Sequence, residues 1–254
     1  MTNALLALLP LLLFLAVLLM IELGYQYGLA SRLPGDDASS SKQSPVTTAV
    51  LSLMGLVLAF TYSNAAGRLE ASRLTILNEV NAIETAWLRI DVAAPEAQSR
   101  LRELVREYLD TRIRAYEAFS DLPEYRRQLE SGAELRKQVW ALAVDATTVS
   151  ANRTLLLTAL NAVGDTAATR TLSLGTHLTT NILVCLMGIV LIGSLLIGTM
   201  LGGPGNRRWF DRFIIAVVFA WIVYTIMDME YPRLGTQLLE RADAMLLELR
   251  KSVR

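Results

Sequence analysis

Apolar and charged positions alternate along this chain in long blocks rather than in short periods. Residues 1–21 carry no charged side chain, and neither do 43–67, 171–206 or 213–227. A helix needs roughly 20 mostly apolar residues to cross a ~30 Å hydrocarbon core. Three of the four blocks meet this directly. The fourth gains Trp209 and Phe210 before it and Tyr231 after it as interfacial aromatics. The pattern predicts four spans: Ala4–Tyr25, Val46–Ala66, Leu178–Leu201 and Trp209–Met227. The first reads as a span rather than a signal peptide, since no Lys or Arg precedes it and no small-x-small site follows it. Pro10 inside it is tolerated in a membrane helix.

Between the second and third spans the period changes. Leu74, Leu77, Val80, Ile83, Trp87 and Ile90 recur at three- and four-residue steps, the spacing of a helix face. No break separates this stripe from the second span, so one helix is expected to run to about Ile90. Pro95 suits a first helical turn. It opens a helix to about Phe119, with Leu101, Leu104, Tyr108, Ile113 and Tyr116 on one face and Asp110 spaced to pair with Arg106 or Arg114. Ser120-Asp121-Leu122-Pro123 is a stop followed by an N-cap. The next helix carries Val139, Trp140 and Leu142 toward Ser150, with Gly132 as a point of interruption. A last helix leads from Ala151 into the third span. Leu29–Pro45 and Gly202–Asn206 have the composition of connecting turns.

The expected fold class is therefore all-α: a polytopic membrane protein with four transmembrane helices and a helical-bundle extramembrane domain between the second and third spans. Residues 1–67 form the first transmembrane hairpin, 68–170 the helical bundle, 171–230 the second hairpin and 231–254 a C-terminal helix. Both termini and the bundle share one side.

Composition narrows the function. The chain has 254 residues, 53% of them hydrophobic, and 19% charged, below the ~25% of soluble domains. Lys and Arg total 24, as do Asp and Glu, so no basic field attracts nucleic acid. A single cysteine, Cys185, and a single histidine, His177, leave no means for an intrachain disulfide, a cysteine zinc cluster or a His-rich metal site. Walker A, Gly-x-Gly-x-x-Gly, Gly-x-Ser-x-Gly and His-Glu-x-x-His motifs are all missing. His177 reads as an interfacial polar residue, Cys185 as a packing residue, and Gly202-Gly203-Pro204-Gly205 as a tight turn. An enzyme is not expected.

Two features carry candidate chemistry. On the second span, Thr48, Ser52, Gly55, Ala59, Ser63 and Ala66 recur near the 3.6 period, with Tyr62 beside Ser63. Two readings of this face stand: close helix packing through small residues, or the wall of a conduit in a symmetric assembly. In the second, Leu56 and Phe60 form a hydrophobic constriction that gates by dewetting. The other feature is Asp228-Met229-Glu230-Tyr231-Pro232. Two carboxylates leave the fourth span at its C-terminus, where the helix dipole favours cations. They call for a partner: an arginine, or a cation such as calcium, for which two carboxylates alone are too few.

Several short stretches, taken in order, resemble the bacterial bestrophin-like domain family. They are Gly55-Leu56-Val57-Leu58-Ala59-Phe60-Thr61-Tyr62-Ser63, Glu79-Val80-Asn81-Ala82-Ile83, Arg102–Asp110, Ala159-Leu160-Asn161 with Asp165, and Asp228–Gly235. That family is distantly similar to the bestrophins, pentameric anion channels with a large cytoplasmic helical region between the second and third of four spans. Their second span lines the pore and holds a hydrophobic neck; an acidic cluster after the last span takes part in calcium binding. The chain departs from them in having Phe60 as the sole phenylalanine of its second span and in lacking a run of consecutive acids after the fourth.

The resemblance implies an oligomeric channel for small anions such as chloride. It would be a homo-oligomer, most simply a pentamer, in the bacterial inner membrane, with bundle and termini cytoplasmic. Its candidate pore-lining residues are Thr48, Ser52, Gly55, Leu56, Ala59, Phe60 and Ser63, with Asp228 and Glu230 as the acidic cluster. No cofactor is expected beyond calcium at that cluster. The competing reading is a membrane signalling or scaffold protein whose helical domain transmits a conformational change.

Overall fold

The long helix foreseen across the second span is the backbone of the fold. In the computed structural model, α2 runs unbroken from Pro45 to Arg89 and yields to a single 3-10 turn, Ile90–Val92. The structure describes residues 3–31, 45–118, 121–173, 180–202, 209–230 and 240–253. His177, the 32–44 and 203–208 connections and residues 231–239 lie outside these. The other helices are α1 Asn3–Ala30, α3 Pro95–Glu117, α4 Leu122–Asp145, α5 Ser150–Ser173, α6 Thr180–Leu201, α7 Trp209–Glu230 and α8 Glu240–Ser252. No strand occurs among the described residues. Four helices, α1, α2, α6 and α7, are long and apolar enough to cross a membrane. At 1.5 Å per residue α2 is about 68 Å long, more than twice a bilayer core; the part read as spanning is its uncharged stretch 46–66.

The described chain forms two compact units: residues 1–69 with 177–237, and residues 70–176 with 238–254. In the first, α1 packs against α6 and α7. Its core takes one face of each helix, with Val17 and Ile21 of α1, Met54 and Leu58 of α2, Val190 of α6 and Ile226 of α7 all buried. The α1–α6 contact is made by backbone. A Cβ on Gly24 would fall less than 3.0 Å from the Leu195 carbonyl, and one on Gly198 less than 3.0 Å from the Ile21 carbonyl. A Cβ on Gly28 or Gly202, each four residues on, would also fall within 3.0 Å of the opposite helix's backbone. Two facing Gly-x-x-x-Gly steps thus let these helices touch without side chains between them.

In the second unit α3 packs on α4 and α8, and α4 on α5. Pro95 occupies the first turn of α3. Asp121 caps α4, its carboxylate accepting from the Glu124 amide at 3.3 Å. Gly132 does not interrupt α4; it packs against Thr111 and Tyr108 of α3. Helix α4 ends at Asp145 rather than running to Ser150, and the Ala146 carbonyl accepts from the Ala94 amide at 2.9 Å. The buried stripe of α2 in this unit is Ile76, Glu79, Val80, Ile83 and Ala86, continued by Ile90 of the 3-10 turn, while Leu74 is exposed. Of the face that the apolar spacing predicts, Val80, Ile83 and Ile90 are buried and Leu77 and Trp87 half-buried; the stripe it missed is Ile76, Glu79 and Ala86, because a buried carboxylate sits among them. Asp110 pairs with neither Arg106 nor Arg114. It receives Nε and Nη2 of Arg250 on α8, at 2.5 and 3.2 Å. Arg106 donates instead to the Val253 carbonyl at 3.1 Å, and Arg114 to Gln128.

Candidate functional site

Helix α2 shows two contrasting faces over residues 48–65. Met54, Leu58, Thr61 and Ala65 are buried in the first unit, and the Thr61 hydroxyl is turned back onto the Val57 carbonyl at 2.7 Å, so no polar group disturbs that face. Thr48, Ser52, Gly55, Leu56, Ala59, Phe60 and Ser63 are all exposed in the single chain. At about 100° per residue, Ser52, Leu56, Ala59, Phe60 and Ser63 project within about 50° of directly opposite the buried stripe. Thr48 and Gly55 sit on its flank. Leu56 is 53% and Phe60 62% accessible, and a Cβ on Gly55 would meet nothing within 4 Å. The candidate residues therefore form one continuous uncovered strip. Small hydroxyl-bearing positions lie before and after two bulky apolar ones. In a membrane such a strip meets lipid, a second helix or a water-filled path.

At the other end of the first unit's helices, Asp228 and Glu230 are both buried on α7. The Glu230 carboxylate accepts from Nε of Arg68 at 2.9 Å, with Nη2 at 2.8 Å. Arg68 follows the spanning stretch of α2 directly, so this pair joins the ends of two spans and answers the helix-dipole mismatch with a cation. Among the described residues no group of three or more His, Cys, Asp or Glu side chains converges, and Glu230 is already engaged by Arg68. Cys185 on α6 is exposed.

A second ion pair of the first unit escaped the sequence pattern. Arg212 of α7, buried, donates to Glu22 of α1 and lies with its guanidinium 4.1 Å from the Tyr25 ring centroid. Both residues flank apolar blocks, and their distance of 190 positions hides the pairing.

In the second unit a carboxylate lies at the centre of the bundle. Glu79 of α2 is fully buried. Arg112 of α3 donates to its Oε1 at 2.5 Å, Arg170 of α5 to its Oε2 at 2.8 Å, and the Tyr116 hydroxyl to Oε2 at 2.6 Å. Tyr116 accepts in turn from Arg112 at 2.7 Å, and Arg170 lies 3.4 Å from its ring centroid. Burial alone would raise the Glu79 carboxyl. The charges of Arg112 and Arg170 and the hydrogen bonds outweigh burial and hold it below 4.5. Burial and the adjacent carboxylate push the Tyr116 phenol well above 10, so it stays a donor.

The Bestrophin-like domain family model matches residues 11–237. The chain belongs to that family. Its fold is shared with solved structures. A point variant of a bacterial bestrophin homolog from Klebsiella pneumoniae superposes with a TM-score of 0.69 at 15% identity, over 98% of each chain. Another variant of that homolog gives 0.64 at 15%, over 98% of this chain and 97% of the other. A point variant described as a membrane protein gives 0.63 at 14%, over 92% and 98%. No curated protein matches by sequence. The stretch matched to the Bestrophin-like domain opens inside α1 and closes just after α7. It contains the uncovered α2 strip, the Arg68–Glu230 pair and the whole Glu79 cluster. Helix α8 lies beyond it, held to α3 by Arg250 and by the Val253 carbonyl.

Two signals in the sequence could have found what the pattern missed. Gly24/Gly28 and Gly198/Gly202 are Gly-x-x-x-Gly steps inside apolar helices. Glu79 sits between Ile76, Val80 and Ile83, a charged residue on an otherwise apolar face.

Proposed function

We propose that this Bestrophin-like protein is an oligomeric ion channel that passes small anions such as chloride along an axis lined by the uncovered strip of α2. The observation that carries the reading is the division of that helix: one face buried within the protomer, the opposite one exposing Ser52, Leu56, Ala59, Phe60 and Ser63 together. Several copies of one strip around an axis would give a path that hydroxyls can help hydrate and that Leu56 and Phe60 can close by expelling water. Family membership favours a channel over an enzyme. The ring would be a homo-oligomer, a pentamer by likeness to the bestrophins. It would lie in the bacterial inner membrane as a multi-pass protein, with the bundle of residues 70–176 and both termini on the cytoplasmic side. The Arg68–Glu230 pair supports a structural rather than a calcium-binding role for the acidic end of α7.

Purified protein reconstituted in liposomes tests this by chloride efflux. Leu56→Ala with Phe60→Ala should raise flux, and Ser52→Trp should stop it. Cysteines at Ser52 and Ser63 should react with charged thiol reagents, whereas one at the buried Leu58 should not. A stable oligomer in which neither parent nor widened variant passes anions would overturn the channel reading and leave the signalling scaffold, for which the 45-residue α2 is the favouring feature.

A further inference from the structure

Between α2, α3, α4 and α5 of the second unit lies a cavity of about 350 Å³, within the size range of small-molecule sites between bundle helices. Apolar side chains dominate its wall, among them Ile83, Val105, Val139 and Val163. Gly164 forms part of the wall, and a Cβ there would meet nothing within 4 Å. The space is therefore open at α5 and is not filled by a neighbouring side chain.

Two polar groups on this wall, Arg136 and Tyr108, lie near each other without a hydrogen bond of normal geometry between them. Arg136 is half-buried, and no carboxylate pairs with it among the described residues. Lys137 beside it is already engaged by Glu134 at 3.1 Å. Tyr108 is 3% accessible, and its hydroxyl is buried without a hydrogen bond of normal geometry; Arg136 lies near it, outside that geometry. Buried polar groups are nearly always satisfied, and an orphaned donor is a reason to look for the missing acceptor. A half-buried guanidinium at the edge of an apolar space asks for an anion that brings its own apolar surface.

We propose that this cavity binds a small carboxylate with an apolar body, its carboxylate taken by Arg136 and its body lying among the valines and Trp140. A carboxylate offers several lone pairs at once, so it can accept from Arg136 and from a slightly turned Tyr108 hydroxyl together. An inorganic anion would satisfy the charge but leave the apolar wall unoccupied. The site does not depend on conduction and takes no part in the α2 strip.

The probe is 3-phenylpropionate, with 3-phenylpropanamide as its neutral counterpart, added to the full chain in detergent and followed by thermal shift and titration calorimetry. The acid should bind saturably, once per chain, and raise Tm. The amide should bind about tenfold or more weakly, since a hydrogen bond to a charged group is the stronger kind. Arg136→Gln should weaken the acid by a similar factor and leave the amide unchanged. Gly164→Leu, which fills the open space, should remove both. If Gly164→Leu does not fold, the acid-against-amide contrast in Arg136→Gln decides alone. No saturable binding, equal affinity for acid and amide, or unaltered affinity in Arg136→Gln would each overturn the proposal.

Discussion

In the unit of residues 1–69 and 177–237, α1 and α6 meet where side chains are missing; in the unit of residues 70–176 and 238–254, the helices close around a charged side chain. Gly24 and Gly198 place backbone against backbone, whereas Glu79 gathers Arg112, Arg170 and Tyr116 from two other helices. On the proposed reading, with the first unit in lipid and the second in water, the difference follows from the solvent. Lipid gives no hydrophobic drive for helices to associate, so close contact of small residues has to supply the attraction. A bundle in water has that drive already. A buried charge there adds little net stability but makes wrong arrangements costly, because each would strand an ion. Specificity in the first unit is steric; in the second it is electrostatic.

Breaking the steric side should have the largest effect. Gly198→Leu forces a branched side chain into the Ile21 carbonyl, and neither backbone has room to retreat. We expect no monodisperse protein on gel filtration from membranes that express the parent well. Gly198→Ala should already cost about 3 kcal/mol. The same change at Gly67, where a Cβ meets nothing within 4 Å, should instead stabilise by about 0.5–1 kcal/mol through helix propensity. Equal responses at the two glycines would remove the backbone contact as the explanation.

The electrostatic side comes next. Glu79→Ala leaves Arg112 and Arg170 buried around a missing carboxylate, which should cost about 3–5 kcal/mol, read as a fall in Tm. Its pH dependence has a definite sign. The folded carboxyl lies below its ordinary value of 4.5. Its contribution is therefore fully present above 4.5 and is lost as pH falls through the lowered folded value. The parent should lose stability more steeply than Glu79→Gln below pH 4.5, and the two should run parallel above it. Parallel curves throughout would mean that Glu79 is not ionised in the folded protein.

How much of this could be read from the chain follows the same division. The spans were legible because lipid demands long uncharged stretches, and α2 was legible as one helix because nothing between Ala66 and Arg89 breaks it. The bundle's helix starts were legible at Pro95 and Asp121, where the local chemistry of a first turn and a cap is written in adjacent residues. Pairings across the sequence were not. Asp110 had arginines four residues away on either side, yet it takes Arg250 from a helix 140 positions later, because local spacing says nothing of which face a distant helix covers. The α2 strip was picked out by its small residues, but its exposure comes from Met54, Leu58, Thr61 and Ala65 claiming the opposite face, which needs the partners α6 and α7 to be known. Glu79 stayed hidden for the reason that makes it informative. On a solvated helix a lone carboxylate means nothing; only three donors converging from two other helices give it a role.

The smallest effect should come from an ion pair in the first unit that resembles Glu79 in kind. Glu230 is as buried as Glu79, with its side chain 1% accessible, but its partner Arg68 is 37% accessible. Water and salt therefore screen half of this pair, while Arg112 and Arg170 at 5% and 2% are sheltered. Glu230 also has a further interaction besides Arg68, so Arg68→Gln does not strand it. We expect a loss of about 1 kcal/mol, shrinking between low and 0.5 M salt as the Debye length falls below about 5 Å. Arg68→Lys should recover part of it, since a point charge restores attraction but not the directed Nε hydrogen bond. The Tm of Glu79→Ala, by contrast, should stay low across the same salt range. If Arg68→Gln proves as damaging as Glu79→Ala and as insensitive to salt, then the end of α7 is organised by a buried charge after all. The contrast between a steric membrane unit and an electrostatic bundle would then reduce to the glycine contact alone.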